Sequence, residues 1–399
     1  MARLAKLRDA SGLILDHGLC LYFPAPHSFT GEDVAELQIH GGRASVSAVL
    51  SCLSDLTGLR HAEPGEFTKR AFESGRMDLT AVEGLSDLIR AETEAQRKQA
   101  LGQTEGVLGA LYNGWAHRIT HARAMVEAEL DFSDEEDIPG SVSDRIWPQI
   151  KGLLEEMKQH LSQAKSGEIV REGFRIALIG PPNVGKSSLL NALAQRDVAI
   201  VSDIAGTTRD IVEVRLDLGG HLVLVQDTAG IRASEDQIEL EGMRRSLKAA
   251  EEADLVLELM DGTGVDGALD VTTKAQAKSL LLLTKSDLHQ AKNLTSSSDV
   301  IAVSAKTGAG IELLMTEIGR RIDEAHIGAC EALPTRERHI QYLKTCVGEI
   351  EKAANGQSLP IEVRSEHLRY AAMAVGRITG KVDVEDLLGV IFSEFCVGK

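Results

Sequence analysis

The sequence predicts a multidomain α/β plus all-α protein, in which a domain with a parallel sheet and helices on both faces is inserted into a discontinuous helical bundle. Two observations predict this fold class. From Phe174 onward, short apolar runs alternate with helical segments, which is the pattern of a parallel sheet covered on both faces. Before and after that region, apolar residues recur at helical spacing. Since each helical stretch has an apolar stripe to bury, the two stretches are expected to pack together.

These patterns divide the chain into four segments. Residues 1–75 are expected to form a partial α+β N-terminal domain, and residues 76–170 the first part of the helical domain. Residues 171–330 form the inserted domain, and residues 331–399 the second helical part. At 399 residues the chain is long enough for two or three separate cores. Insertion is tolerated because the two ends of a domain usually lie close together.

The composition narrows the functional classes. The formal net charge of −17 disfavours nonspecific binding to nucleic acid or to an anionic membrane over most of the surface. A nucleic-acid partner would need a local basic patch or a basic helper protein. Five scattered cysteines without a CxxC pair indicate reduced thiols. No signal peptide is evident, and no apolar run approaches the ~18 residues of a membrane span. These features predict a cytoplasmic protein with no membrane partner.

The helical segments follow from apolar spacing. A stripe that includes Leu79, Val82 and Leu85 predicts a helix after residue 76, with Thr80 and Glu83 as a capping box at its start. Further helices are predicted over 111–132 and roughly 144–165, separated by the acidic loop DFSDEEDIPG, which is interpreted as a solvated loop. Near the C-terminus, helices are predicted over the following ranges: 335–355, 361–379 and 383–395.

The strands of the inserted domain are predicted from apolar runs in its sequence. The predicted strands are FRIALIG, HLVLVQD, ADLVLELMD, SLLLLT and VIAVSA, which begin at residues 174, 221, 253, 279 and 300. In the N-terminal segment, LCLYF and VAELQIHGG predict strands and short helices.

The phosphate-loop motif GPPNVGKS, Gly180 to Ser187, follows the first of these strands and opens a helix, as the GxxxxGK[ST] pattern requires. Backbone N–H groups of such a loop cradle phosphate oxygens. Lys186 would reach the β- and γ-phosphates, and Ser187 would ligate Mg²⁺. The candidate nucleotide-binding residues of this motif are Asn183, Val184, Gly185, Lys186, Ser187 and Ser188.

Two further motifs complete the phosphate end of the site. GTTRD at 206–210 supplies Thr208 for Mg²⁺ and the γ-phosphate. DTAG at 227–230 supplies Asp227, which would hold Mg²⁺ through water, and Gly230, which would sense the γ-phosphate. The candidate binding residues in these two motifs are Gly206, Thr207, Thr208, Asp227, Thr228, Ala229 and Gly230.

TKSD at 284–287 and SAK at 304–306 predict the choice of base. The carboxylate of Asp287 can accept hydrogen bonds from N1–H and the 2-amino group of guanine, which adenine does not offer. Lys285 would lie along the base, and the Ala305 amide would meet O6. Thr284 replaces the usual asparagine, which puts nucleotide affinity in question. With Ser304 and Lys306, these residues complete a P-loop GTPase domain with GTP as its substrate.

The activation of the attacking water needs a separate explanation. Many small GTPases place a glutamine directly after DxxG, and here that residue is Ile231. Asn183 offers a side-chain oxygen that could bind a monovalent cation as a fixed positive charge, or it braces the loop. Glu239, one acid in the stretch ASEDQIELEG, is the second candidate.

Several segments resemble the MnmE/TrmE family of tRNA uridine-5-carboxymethylaminomethyl modification GTPases, and the resemblance covers nearly the whole chain. It rests on SFTGEDVAELQIHGG (28–42), RHAEPGEFTKRAF (60–72), AIVSDIAGTTRD (199–210) and the terminal FCVGK. It implies Glu239 as a catalytic residue, together with Lys186 and Thr208. It also implies a homodimer whose GTPase domains meet across their nucleotides. The implied potassium ligands are Asn183, Ser202, Ile204 and Thr207, and Asp203 and Ala205 join them in the nucleotide-binding loop.

The same resemblance implies the wider reaction. Together with an FAD- and NADH-dependent partner, in a heterotetramer, the family modifies C5 of the wobble uridine of tRNA. The one-carbon unit comes from a 5-formyl or 5,10-methylene tetrahydrofolate. The implied folate contacts are Glu36, Arg76 and Lys399, and Cys396 is a candidate for the modification chemistry. The family begins with roughly forty more residues, whose absence here would expose a sheet edge and weaken folate binding.

Two alternatives remain open on the sequence. The first is a GTP-hydrolysing protein that docks its partner and has lost folate binding. The second is an Era-like ribosome-assembly GTPase, which would append an RNA-binding module with a GxxG loop. The region after residue 330 reads as helices instead.

Overall fold

The computed structural model describes residues 2–131, 142–196, 198–200, 212–227, 248–262, 278–288, 300–325, 332–382 and 391. The chain divides into two compact units, each discontinuous in sequence. The first comprises residues 1–89, 101–158 and 341–399, and the second comprises residues 90–100 and 159–340.

The first unit begins with a small antiparallel sheet, β1 (Ala2–Arg8), β2 (Ile14–Phe23) and β3 (Val34–Gln38), in the order β1-β2-β3. Asp9 closes the first turn, since its Oδ1 accepts hydrogen bonds of 2.9 Å from the backbone N–H groups of Ser11 and Leu13. Two short helices follow, α1 (Arg43–Ser54) and α2 (Glu66–Glu73). Strands and short helices were predicted for this region, and they are confirmed.

The helical part of the chain supplies a separate core. Its helices are α3 (Leu79–Arg90), α4 (Glu94–Thr104), α5 (Val107–Asp131), α6 (Val142–Ser162), and then, after the six-stranded sheet in sequence, α10 (Glu337–Asn355) and α11 (Ile361–Thr379). Residues 94–100 of α4, 159–162 of α6 and 337–340 of α10 belong to the second unit. Within the first unit α5 packs along α11, and Ser365 Oγ donates to Glu127 Oε1 at 3.1 Å. The fully buried core side chains include Leu108, Tyr112, Ile119, Ile150, Leu153 and Met157.

The predicted capping box at the start of α3 is wrong. Asp78 caps this helix, because its Oδ1 accepts hydrogen bonds from Ala81 N at 2.9 Å and Thr80 Oγ1 at 2.7 Å. Thr80 and Glu83 lie inside the helix and are buried. The carboxylate two residues upstream of Thr80 is placed to reach the free N–H groups of the first turn, so it takes the capping role.

The second unit contains a six-stranded sheet in the order β5-β6-β4-β7-β8-β9. Its strands are β4 (Phe174–Ile179), β5 (Val212–Leu218), β6 (His221–Asp227), β7 (Leu255–Asp261), β8 (Ser279–Thr284) and β9 (Val300–Ala302). All neighbours pair in parallel except β5, which runs antiparallel to β6. The helices of this unit include α7 (Ala164–Glu172), α8 (Lys186–Ala194) and α9 (Ile311–Ala325).

This sheet confirms the predicted α/β fold, and its edge strand β5 was not predicted. The apolar side chains of the central strands are buried, as Ile176, Leu178, Leu257 and Leu282 show, so those strands read as near-continuous apolar runs. Because β4, β6, β7 and β8 are parallel, their carboxyl ends meet at one edge of the sheet. That edge holds the phosphate loop, Asp227 at the end of β6 and the TKSD motif at the end of β8.

Helices after residue 336 confirm the prediction of a second helical part. The observed bounds Glu337–Asn355 and Ile361–Thr379 agree closely with the predicted ones. The predicted helix over 383–395 lies outside the described residues except at Ile391, which packs against Val82. Within the described ranges, every helix is too short or too polar to cross a membrane.

Candidate nucleotide site

The phosphate loop occupies the turn between β4 and α8. Gly180 has φ 155°, and a Cβ there would lie 2.5 Å from the carbonyl oxygen of Leu259, so only glycine fits. Asn183, exposed at the middle of the loop, has a left-handed φ of 60°. Gly185, with φ 108°, forms the N-cap of α8. The loop therefore leads directly into a helix N-terminus, whose free N–H groups suit phosphate.

Lys186 is folded back across this loop. Its Nζ donates to the carbonyl oxygens of Gly180 at 2.6 Å and Pro181 at 3.0 Å. Burial lowers the pKa of the Lys186 ammonium group, and the nearby carboxylate of Asp227 opposes that shift. The carbonyl oxygens of the loop thus hold the Lys186 ammonium group, and phosphate oxygens can take their place when a nucleotide binds.

Ser187 and Asp227 form the second part of the phosphate end. Ser187 Oγ donates to Asp227 Oδ2 at 2.9 Å, and Asp227 is almost fully buried at the end of β6, beside β4. A hydroxyl and a carboxylate at hydrogen-bond distance are the oxygen donors that Mg²⁺ accepts, directly or through water. The donor set therefore fits the magnesium site predicted from the sequence.

The base end is built where β8 ends. Lys285 adopts φ 58°, and its Nζ donates to Asp261 Oδ2 at 2.6 Å. Asp287 is exposed, and its Oδ1 accepts a 2.6 Å hydrogen bond from the buried Ser304 Oγ. That hydrogen bond is the main cause of the lowered pKa of Asp287. The carboxylate is therefore oriented and ionised at neutral pH, as acceptance from two guanine donors requires.

Thr284 links the base end to the phosphate loop. Its Oγ1 is buried, donates to Val184 O at 2.6 Å and lies 3.1 Å from Met260 O. The sequence raised the question of what replaces the usual asparagine at this position. The threonine hydroxyl makes a direct hydrogen bond to the phosphate loop, so the two halves of the site are tied despite the replacement.

The SAK motif follows β9. Ser304 is fully buried and also accepts a 3.2 Å hydrogen bond from Thr307 N, which closes the turn. Ala305 is partly buried and Lys306 is exposed. The structure thus brings Ser304 of the SAK motif to Asp287 of the TKSD motif.

Asp261 was missed by the sequence reasoning. It is the last residue of β7, and its carboxylate holds the Lys285 ammonium group. The signal was present, since an acidic residue ends the apolar run LVLELMD at the sheet edge that carries the other motifs. Only the pairing of β7 with β8 shows that Asp261 lies opposite Thr284.

Many predicted site residues lie outside the described residues, and their roles stay predictions. This set comprises Ser202, Asp203, Ile204, Ala205, Gly206, Thr207, Thr208, Thr228, Ala229, Gly230, Glu239, Cys396 and Lys399.

The predicted folate contacts lie in the first unit. Glu36 is exposed on β3, opposite Leu21 of β2. Arg76 is exposed after α2 and lines a cavity of about 440 Å³. Asp78, Glu105 and Lys381 also line this cavity. Both residues are accessible, and their role as folate contacts stays a prediction.

Three features lie together at the carboxyl edge of one parallel sheet. They are the phosphate loop, the buried Asp227 beside Ser187, and Asp287, which Ser304 orients at the base end. This combination of fold and site defines a P-loop GTPase.

Comparison with known proteins gives the family. Residues 1–76 match the model of the GTP-binding protein TrmE N-terminus, and residues 79–396 match that of the MnmE helical domain. A Rhizobium johnstonii protein named tRNA modification GTPase MnmE is 49% identical over 393 residues, 98% of this chain and 88% of the relative. The protein of the same name from Brucella ovis is 50% identical over 400 residues, 100% of this chain and 89% of the relative. The chain belongs to the MnmE family of GTPases.

Solved structures give a weaker likeness. The G domain of the T. maritima FeoB iron transporter is 26% identical and has a TM-score of 0.27. The match covers 37% of this chain and 98% of that chain. A score this low supports no conclusion about this chain.

Proposed function

We propose that this chain is a potassium-stimulated GTPase of tRNA modification. With an FAD- and NADH-dependent partner, it installs an aminomethyl or carboxymethylaminomethyl group at C5 of the wobble uridine, using a one-carbon tetrahydrofolate. The observation that carries the proposal is the identity of about half of all residues, across the whole chain, to relatives named tRNA modification GTPase MnmE. The nucleotide site described above supports its GTPase part.

The roles of the site residues follow from their contacts. The Lys186 ammonium group exchanges the carbonyls of Gly180 and Pro181 for phosphate oxygens. Ser187 and Asp227, with Thr208, would hold Mg²⁺, which neutralises charge on the phosphates when bound. Asp287 selects guanine. Glu239 is proposed to orient the attacking water, because Ile231 offers no polar group there.

The potassium site is proposed at Asn183, Ser202, Ile204 and Thr207. Of these four, Asn183 lies in the described part of the chain, where it is exposed on the phosphate loop. A side-chain amide oxygen at this point supports a monovalent cation beside the phosphates, where a fixed positive charge stabilises the transition state.

GTP turnover is expected to be about tenfold or more faster in KCl than in NaCl, because the larger ion fills the proposed site. Asn183→Ala is expected to remove that difference while leaving the rate in NaCl nearly unchanged. Steady-state phosphate release at constant ionic strength measures both rates. Asn191→Ala on α8 is a matched control that should keep the potassium effect. Equal turnover of the unmodified protein in the two salts would contradict the potassium assignment.

The folate and tRNA parts are tested by reconstitution. The chain, its FAD-dependent partner, NADH, GTP, 5,10-methylenetetrahydrofolate and unmodified tRNA are expected to yield a modified wobble uridine, detected by nucleoside mass spectrometry. Titration with 5-formyltetrahydrofolate is expected to release heat that Glu36→Gln and Arg76→Gln reduce. If the chain hydrolyses GTP but neither heat of folate binding nor modified uridine is detected, the alternative of a partner-docking GTPase that has lost folate binding would be favoured. In the same assay, loss of modification in Cys396→Ser with intact GTP turnover would support a chemical role for Cys396.

The proposed assembly is a cytoplasmic homodimer that joins its partner as a heterotetramer. Large apolar side chains exposed in the first sixty residues support a protein contact at the N-terminal domain. They include Leu4, Leu13, Leu50, Leu56 and Leu59. Lys399 belongs to the proposed folate site. The division of the chain into four domain segments, with boundaries at residues 75, 170 and 330, is also part of this proposal.

A further inference from the structure

Residues 90–100, called the connector here, precede the inserted domain by more than seventy residues and yet belong to its compact unit. Ala95 N donates to Gly220 O, in the turn between β5 and β6, at 3.0 Å. Gln96 Nε2 donates to Arg171 O, in the last turn of α7, at 2.9 Å. The connector is therefore held on both the β5–β6 hairpin and the helix that leads into the phosphate-loop strand.

The connector also forms an ion pair with β5. Arg215 Nη1 lies 2.6 Å from Glu92 Oε1 and 2.7 Å from Oε2. The two side chains are 36% and 25% exposed. Because both are more than half shielded from solvent, their attraction is screened less than that of a fully exposed pair.

From Arg215 the contacts continue toward the phosphate site. Arg215 Nε donates to Glu213 Oε1 at 3.2 Å, and Gln226 Nε2 donates to Glu213 Oε2 at 3.0 Å. Gln226 directly precedes Asp227, the partner of Ser187. The polar chain thus runs along the β5–β6 hairpin from the connector to the residue beside Asp227, which is proposed to hold Mg²⁺.

The backbone of Arg215 makes a second link. Its carbonyl oxygen accepts a 2.9 Å hydrogen bond from Ile200 N, and Asp217 N donates to Val198 O at 2.7 Å. Residues 198–200 and β5 flank the GTTRD motif on its two sides in the sequence. A shift of β5 would therefore move both flanks of that motif and the end of β6 together.

We propose that Glu92 and Arg215 are positioning residues for GTP hydrolysis. Glu92 fixes the Arg215 side chain, and Arg215 fixes β5 against residues 198–200 and the strand that carries Asp227. Neither residue belongs to the phosphate-loop, DTAG, TKSD or SAK motifs, so the pair acts on turnover through the strand and leaves nucleotide affinity nearly intact. The inference rests on the proposed GTPase function and adds a link from the connector, which is distant in sequence, to the site.

Glu92→Gln, which keeps the side-chain size and removes the charge, tests this inference. Single-turnover GTP hydrolysis at saturating nucleotide is expected to slow by about three- to tenfold, while the Kd for GDP changes less than about twofold. Arg215→Gln should behave alike, and Arg215→Lys should retain more activity because its charge remains. The double variant should be no slower than Arg215→Gln alone, since Arg215→Gln already removes the interaction with Glu92.

Glu94→Gln is the matched control, because Glu94 lies in the same connector but pairs with Arg97 rather than with β5. It should hydrolyse GTP at the unmodified rate. A wild-type rate in Glu92→Gln, an equal loss in Glu94→Gln, or additive losses in the double variant would overturn the inference. So would a loss of GDP affinity in proportion to the rate, since that indicates a general structural defect. Failure of the unmodified chain to hydrolyse GTP would instead contradict the proposed function itself.

Discussion

Replacing Asp287 by asparagine is expected to weaken GDP binding by about a thousandfold and to favour a xanthine nucleotide instead. Ser304 Oγ donates to Asp287 Oδ1, so an asparagine would be held with its carbonyl oxygen toward Ser304. Its amide NH₂ group would then face the base. Guanine presents two donors at this edge, which would be left opposite another donor, whereas the 2-oxo group of xanthine accepts from the amide.

Competitive titration of a fluorescent nucleotide with GDP and XDP measures this change. Ser304→Ala is the companion variant, because it removes the orienting hydroxyl and keeps the carboxylate. It should weaken GDP binding by about tenfold without improving the binding of XDP. An Asp287→Asn protein that still prefers GDP would show that the base is selected elsewhere.

Lys186→Gln is expected to reduce GTP turnover by about 10²- to 10³-fold. The ammonium group of Lys186 is buried beside Asp227 and held by two loop carbonyls, so the charge already lies where the β- and γ-phosphates would bind. Glutamine can replace part of the hydrogen bonding but not the charge that stabilises the transition state. Modification of the wobble uridine in the reconstituted reaction should fall with it.

Phosphate release at saturating GTP and nucleoside analysis of the tRNA give the two readouts. Lys165→Gln is a suitable control, since Lys165 is a cation of the same unit that pairs with Asp254, which directly precedes β7 at the edge of the sheet opposite the phosphate loop. Its turnover should equal that of the unmodified chain. Turnover above about a tenth of normal in Lys186→Gln would remove Lys186 from the catalytic machinery.

Much of the inserted domain was predictable because parallel strands are buried on both faces. That environment demands apolar runs such as SLLLLT, and the turns after them carry the phosphate and base motifs. β5 was not predictable in the same way. It is an antiparallel edge strand, VEVRLDL, whose polar residues alternate with apolar ones, and pairing with β6 across the Gly219–Gly220 turn defines it.

The start of α3 shows the limit of local patterns. Thr80 and Glu83 match a capping box, but Asp78 is a second candidate cap two residues earlier, and the sequence offers no means to rank the two. Asp78 caps the helix because its carboxylate lies at the N-terminal end of α3, whereas Thr80 lies on the buried face of the helix. Burial therefore decided which residue caps α3, and burial depends on how the other helices of the bundle pack.

By itself, the sequence determined that this protein is a P-loop GTPase, because residue types at fixed spacing along buried strands specify both the phosphate loop and guanine selection. It also determined the family, through segments that GTPases in general do not carry. Only the tertiary structure decided how Thr284 reaches Val184, how Asp261 holds Lys285 and how Glu92 meets Arg215. Those contacts join residues that are 24 to 123 positions apart. Since such distances are set by strand order and packing, no local pattern encodes them.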